Sequence, residues 1–292
     1  MVEQTNTRVA VVTGASSGIG KEAAKSLLKQ GWRVIGLGRD QARCAATEAE
    51  IRSAMPDAQF ELIRADLSLM ADTARAAKEI VSRTNRIDVL LNNAGGMAKE
   101  KVMTSEGNEA TFAGNHLGHF LLTTHLLPLL QKTATTSPRG SVRIVNVSSL
   151  ANESCKGLDW DDLQMINNFH AAAAYCRVKF ANILFTRELA KRFGSDGIIA
   201  HAMHPGVVNS NFITHADEAT QNFIRTQRND VSVTSEVGAD TLIWLATADE
   251  PRNSNGNYFY QRKESSVNPA ALDDVAAARL WDESNKLIAD YL

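Results

Sequence analysis

The sequence predicts an α/β protein organised on one doubly wound parallel sheet, and three observations carry that prediction. Short apolar runs rich in β-branched residues recur along the chain. Most of these runs lead into a stretch of helical length. No repeat, low-complexity tract or Pro/Gly/Ser-rich linker divides the 292 residues. Near-continuous apolar strands alternating with helices call for a parallel sheet covered on both faces. Right-handed crossovers then wind it in both directions from its middle.

The first strand is Arg8 to Thr13, followed by a helix over about 18–29 that Gly31 closes, because glycine readily takes the left-handed conformation of a helix end. A second strand follows at Arg33–Leu37, then a helix over about 40–54 that Pro56 ends. Phe60–Arg64 is a third strand with a helix over about 69–83 behind it. Ile87–Leu91 is a fourth strand, Val142–Val147 a fifth and Gly197–Met203 a sixth. Helices fill about 107–132 and 171–193, and helical stretches near 235–247 and 272–290 flank a last strand at Asn257–Tyr260. The expected architecture is a single Rossmann-type domain over residues 1–292, with six to seven strands and helices on both faces.

Composition narrows the function. A formal net charge of −2 with no run of like charges gives no bias toward nucleic acid or an anionic membrane surface. The three cysteines, Cys44, Cys155 and Cys176, form no CxxC pair. That fits a reducing compartment and argues against a disulfide framework or a zinc site, so no metal is expected. The N-terminal MVEQTNTR is polar and no stretch reaches about 18 apolar residues. No membrane anchor is expected, and the cytosol is the expected location.

The first strand runs into Thr13-Gly14-Ala15-Ser16-Ser17-Gly18-Ile19-Gly20, a GxxxGxG turn placed between a strand and a helix. Such glycines let the backbone approach a pyrophosphate, and the helix N-terminus offers it free N–H groups and a positive dipole. At the end of the second strand a carboxylate would bind the ribose hydroxyls of NAD. That slot holds Gly38, with Arg39 beside it. A guanidinium without a neighbouring acid in the slot suits a 2′-phosphate. NADP(H) is therefore the expected cofactor, with NAD(H) second.

With these motifs in view, the sequence resembles the short-chain dehydrogenase/reductase family over nearly its whole length. The resemblance is carried by the glycine turn, Asn92-Asn93-Ala94-Gly95 after the fourth strand, Ser148-Ser149 after the fifth, and Tyr175-x-x-x-Lys179 on a helix. Within that family it is most similar to the retinol dehydrogenase branch, through Asn115-His116-Leu117-Gly118-His119-Phe120, the segment Ala181 to Leu189, His204-Pro205-Gly206 and Leu280-Trp281. It is expected to depart from many of those enzymes in having no N-terminal membrane anchor, and Ser210 stands where the nicotinamide loop usually has Thr. The resemblance implies cofactor contacts at Gly14, Ser16, Ser17, Gly18, Ile19, Gly20, Asp66, Leu67, Asn93, Ala94, Gly95, Pro205, Gly206, Val208 and Ser210, with Asp66 against the adenine. It also implies that Ser149, rather than Ser148, hydrogen-bonds the substrate oxygen. In the same pattern Asn115 holds a water that passes protons to Lys179.

The chemistry expected of these residues is the interconversion of a ketone or aldehyde and its alcohol. Tyr175 is the candidate general acid/base, but a free phenol titrates near 10 and is poorly matched to neutral pH. Lys179 lies one helical turn on, where its ammonium is expected to stabilise the phenolate and lower that pKa; both also belong to the expected cofactor contacts. His116, His119, His201 and His204 read as packed or hydrogen-bonded histidines, Cys176 as a space-filler, and Asp159, Asp161 and Asp162 as a solvated loop or cap. Two other readings stay open: an epimerase or dehydratase on the same scaffold, and a non-catalytic NADP-sensing protein. The expected partner is a small carbonyl or alcohol, and a homo-oligomer is left open.

Two segments, about 150–171 and 207–232, are the expected substrate loops. Ser149 and Tyr175 stand 26 positions apart, and the insert between them carries Leu158, Trp160, Leu163, Met165, Ile166 and Phe169. With Phe212, Ile213, Phe223 and Ile224 these could wall an apolar pocket for a bulky hydrophobic substrate. The alternative is that the insert packs on the protein's own body or on a neighbouring subunit.

Overall fold

The computed structural model describes residues 7–208 and 232–292. Its first half alternates β1 (Val9–Thr13), α1 (Gly18–Lys29), β2 (Arg33–Gly38), α2 (Gln41–Ala54), β3 (Phe60–Arg64), α3 (Met70–Arg83) and β4 (Val89–Asn92). A short α4 (Ala110–Phe112) runs through a π-helical turn (Ala113–Leu117) into α5 (Gly118–Thr135), and β5 (Val142–Val147) follows. Then come a 3₁₀ turn (Leu150–Ser154), α6 (Ala171–Phe193), β6 (Ile198–Met203), β7 (Val207–Val208), β8 (Ser232–Val233) and α7 (Ser235–Thr247). The chain closes with β9 (Tyr258–Tyr260), β10 (Lys263–Glu264) and α8 (Asp274–Ile288).

One sheet collects strands from Val9 to Glu264 in the order β3-β2-β1-β4-β5-β6-β9-β10, all parallel except β10. The winding reverses between β1 and β4, so the crevice at their carboxyl ends is the topological switch point where open α/β sheets bind ligands. The period-2 alternation of a strand sorts β1 between two layers. Val9 and Val11 join a core built with α3, α5, α6 and α8, whereas Ala10 and Val12 join one built with α1, α2 and α7. Each Val buried in this way contributes on the order of 1.5–3 kcal/mol. Among the described residues no helix is long and apolar enough to cross a membrane.

The sheet has eight strands, not the six to seven expected from the sequence. The added strand, β10, pairs back on β9 through Gln261 and Arg262, both of which adopt positive φ (48° and 60°). Tight hairpins of this kind usually declare themselves by Asn-Gly or Asp-Gly. Here the turn is held from outside instead: Arg262 N donates to Thr241 Oγ1 at 3.1 Å and its guanidinium pairs with Asp240 on α7. Elsewhere the local signals act where they stand. Gly31 takes φ +78° after α1, and Asp40 caps α2 by accepting from Arg43 N at 2.8 Å.

Candidate active site

The switch-point crevice is floored by the glycine turn. Gly14 and Gly18 both take positive φ, and Gly20 packs so tightly that a Cβ there would lie 2.4 Å from Gly14 O and 2.6 Å from Asn93 Nδ2. The helix that starts here, α1, has no acidic residue in its first turn, so its N-terminal dipole is left for an anion. Gly38, at the end of β2, is closely packed: a Cβ would meet Cys44 Sγ at 2.5 Å and Ser16 Oγ at 2.8 Å, so a larger side chain would require both to shift. Arg39 next to it is exposed, and Arg64, from the neighbouring end of β3, donates Nε to Arg39 O at 3.4 Å. The turn therefore fits a dinucleotide pyrophosphate, and the β2 end is cationic.

Thr13 ties this turn to the end of β4. Its hydroxyl oxygen accepts from Asn93 N (2.8 Å) and Ala94 N (2.9 Å), while Asn93 Nδ2 donates to Thr13 O at 2.8 Å. Asn92, one position earlier, is a sheet residue whose amide bridges Thr123 Oγ1 and Asn146 Oδ1. The carboxylate of Asp66 accepts from Ser68 N and Ser68 Oγ and so closes the β3 exit loop. That loop is pressed against α5, because a Cβ on Gly118 would come within 2.1 Å of Leu67 O.

The residues expected to carry the chemistry converge beside the cofactor turn. The Tyr175 hydroxyl is hydrogen-bonded to the Ser149 side chain; burial outweighs that bond and holds this phenol well above its usual titration range, the reverse of the lowering expected from Lys179. Lys179 is one turn along α6 and buried; its Nζ donates to Val147 O at 3.1 Å and lies 5.5 Å from the centre of the Tyr175 ring. Burial pulls the Lys179 ammonium down to about 8. Ser148 is directed elsewhere, its hydroxyl donating to Lys179 O at 2.6 Å.

Asn115 sits inside the π-helical turn, a local distortion that recurs at functional sites. Its side chain is fixed by Gly96 N, Gly96 O and Thr111 O, and its Oδ1 closes over Gly95. The backbone carbonyl of Asn115 accepts from Asn182 Nδ2 (3.2 Å) and faces His119 Nδ1 (3.1 Å). The loop after Ser149 is anchored from the far end of the chain. Asn152 Nδ2 reaches Ser149 O at 2.7 Å and Tyr258 Oη at 3.2 Å, and Asn268 Nδ2 reaches Asn152 O and Cys155 O.

A match over residues 8–221 to the short chain dehydrogenase family decides the assignment. The chain belongs to that family. It falls in its retinol dehydrogenase-like branch: it is 35% identical to human retinol dehydrogenase 13 and 36% to human retinol dehydrogenase 12, covering 96% of this chain in both cases and 84% and 86% of those proteins. Among solved structures it is similar to an uncharacterized protein from Mycobacterium paratuberculosis (TM-score 0.74, 29% identity, 97% of this chain and 93% of that one). It is also similar to Pseudomonas aeruginosa RhlG in its NADP active-site complex (TM-score 0.68, 30% identity, 86% of this chain and 93% of that one). A short-chain dehydrogenase is an oxidoreductase that works with a nicotinamide cofactor on a small molecule.

The expected substrate walls fare differently. Leu158, Trp160 and Leu163 pack against the protein's own core, with Arg279 of α8 stacked over the Trp160 ring at 4.5 Å. That part of the insert is body packing, not pocket. Phe169 instead joins Met97, Ala171 and Tyr175 in a small apolar cluster at the site. Pro205, Gly206 and Val208 lead into the nicotinamide-loop region, with Gly206 at φ +81°. Ser210, Phe212, Ile213, Phe223 and Ile224, and most of the second expected loop, lie outside the described residues.

The four histidines His116, His119, His201 and His204 are buried and partnered, and the described residues hold no cluster that could bind a metal. His116 Nε2 lies 2.8 Å from Ser284 Oγ, His201 Nε2 lies 3.1 Å from Pro251 O, and His204 stacks on Tyr260. Asp162 is neither free nor a helix cap. Its carboxylate accepts from Ile166 N and Asn167 N and shapes the insert. Sequence reasoning gave Thr13 no role although it heads the glycine-turn motif, and it missed Asn152, Tyr258 and Asn268, none of which carries a spacing signal. It also missed Met97, whose only signal is its place two residues after the Asn-Ala-Gly motif.

Proposed function

We propose that this protein is an NADP(H)-dependent carbonyl reductase or alcohol dehydrogenase in which Tyr175 is the general acid/base. The observation that carries this reading is the hydrogen bond of Tyr175 to Ser149 with the Lys179 ammonium buried one helical turn away, at the crevice beside the glycine turn. The nicotinamide, when bound, supplies or accepts the hydride. In reduction Ser149 orients the carbonyl oxygen and Tyr175 gives it the phenolic proton. Lys179, with its pKa near 8, is still largely protonated at pH 7 and offsets the charge left on the phenolate. Asn115 holds the segment beneath Gly95 and so sets the depth at which Lys179 sits.

Preference for the 2′-phosphate is supported by Gly38, which puts no ribose-binding carboxylate in this closely packed slot, and by exposed Arg39 beside it. A hydrophobic substrate is supported by Met97 and Phe169, which set apolar surface against Tyr175. The test is a panel of small aliphatic, aryl, steroid and retinoid carbonyls, assayed by absorbance with NADPH and NADH. The expected result is NADPH-dependent reduction that favours the larger apolar substrates by about tenfold or more in kcat/KM. Absence of turnover with every carbonyl and alcohol in the panel would overturn the reading.

A further inference from the structure

His119 lies on α5, one turn beyond Asn115, and is almost wholly buried. Its two ring nitrogens face two different parts of the site. Nδ1 is 3.1 Å from the backbone carbonyl of Asn115, and Nε2 is 2.9 Å from Thr13 Oγ1. The protonation pattern follows from the partners. A carbonyl only accepts, so Nδ1 carries the hydrogen. Burial drives the imidazolium down to about 4, so at neutral pH Nε2 is bare and accepts. Thr13 Oγ1 already accepts from Asn93 N and Ala94 N, which leaves its own O–H to donate. The hydrogen bonds therefore run in one direction, Thr13 to His119 to Asn115.

We infer that His119 is a positioning residue that couples the cofactor turn to the π-helical turn under Lys179. At one end it fixes the hydroxyl that holds the Asn93 and Ala94 amides beside the glycine turn. At the other it fills the carbonyl of Asn115, whose side chain bears on Gly95 and whose backbone is shared with Asn182 three residues past Lys179. Each end keeps a second partner without the ring: Thr13 Oγ1 lies 3.2 Å from Leu91 O, and Asn115 O keeps Asn182 Nδ2. Loss of His119 thus shifts the register of the two turns without stranding a buried polar group, and this role deepens the carbonyl-reductase reading on which it rests.

The two ends can be cut separately. An Asn amide reaches about as far as Nδ1, and a Gln amide about as far as Nε2. His119→Asn keeps the bond to Asn115 and drops the one to Thr13. It is expected to weaken NADPH, read by fluorescence titration, by about three- to tenfold, the scale of one hydrogen bond, with kcat close to wild type. His119→Gln is expected to do the reverse, lowering kcat by a similar factor with NADPH affinity retained. A structural histidine would make affinity, kcat and Tm fall together in both variants, and that result, or two variants indistinguishable from wild type, overturns the inference. Wild-type turnover and its loss in Tyr175→Phe, measured alongside, report on the carbonyl-reductase reading itself. The NADPH titrations need no turnover, so the two failures are separable.

Discussion

Gly95 and Gly96 are neighbours in the loop after β4, and the structure assigns them opposite tolerance for a methyl group. A Cβ on Gly95 would stand 2.5 Å from Asn115 Oδ1 and 3.2 Å from Lys179 Nζ, whereas nothing lies within 4 Å of one on Gly96. Asn115 has little freedom to yield, because its amide is fixed at 3.1, 2.9 and 2.8 Å by Gly96 N, Gly96 O and Thr111 O. Relieving the contact requires a movement of about 1 Å in Asn115, the Lys179 side chain or the loop. Overpacking of this kind costs about 1–3 kcal/mol, or a Tm lowered by roughly 2–4 °C per kcal/mol for a chain of this size. The effect on catalysis is larger, since a misplacement of about 1 Å at reacting groups costs on the order of 100-fold. Gly95→Ala is therefore expected to fold, with a lowered Tm in thermal denaturation, and to lose about two orders of magnitude in kcat/KM for NADPH-dependent carbonyl reduction. Gly96→Ala is expected to keep most of its activity. The reasoning is refuted if Gly96→Ala is hurt as badly as Gly95→Ala, or if Gly95→Ala turns over normally.

The other expectations are more direct. Tyr175→Phe removes the proton donor and should lower turnover by about 10²–10⁴-fold while NADPH still binds by fluorescence titration; near-normal turnover removes Tyr175 from the mechanism. Arg39→Ala should weaken NADPH by about 1.5–3 kcal/mol and leave NADH little changed, and equal losses for both would show that Arg39 does not discriminate. Burial holds His116 down to about 3, and His119 and His204 down to about 4, against about 6.5 in the unfolded chain. Below pH 6.5 the unfolded chain takes up protons that the folded one refuses, so stability is full above that pH and is lost as pH falls toward 4. The slope is up to about 1.4 kcal/mol per pH unit for each histidine, and denaturant midpoints that stay flat between pH 7 and pH 5 would contradict it.

The sequence made the parallel sheet legible because the strands stood out as apolar runs and the first two helices carried their own stops, Gly31 after α1 and Pro56 after α2. Helix α6 came out with the bounds expected, Ala171 to Phe193. The β10 strand did not, because two positive-φ residues with side chains, Gln261 and Arg262, replaced the glycine signal and relied on distant α7. The expected site residues Ser149, Tyr175, Lys179 and Asn115 were legible as motifs and are brought together in the crevice. Their supports were not, since Asn152, Tyr258 and Asn268 act through contacts more than a hundred positions apart. The insert illustrates the same limit. Its apolar residues were visible, but which of them face the core and which face Tyr175 depends on α8 and on Met97.

The anchoring of the Ser149 loop also bears on the order in which this chain becomes an enzyme. The glycine turn, Asn115, Tyr175 and Lys179 have all left the ribosome well before Tyr258 and Asn268 are translated. Until then Asn152 lacks its partner Tyr258, and the Asn152 and Cys155 carbonyls lack the Asn268 amide. The strand that carries Tyr258 is absent from the edge of β6 as well. A nascent chain stopped before residue 258 thus holds the strands and glycine turn, and its serine loop keeps the local Asn152 to Ser149 bond but lacks the long-range contacts to Tyr258 and Asn268. The last few dozen residues thus act as a latch on the Ser149 loop, supplying from Tyr258 and Asn268 the contacts that complete it.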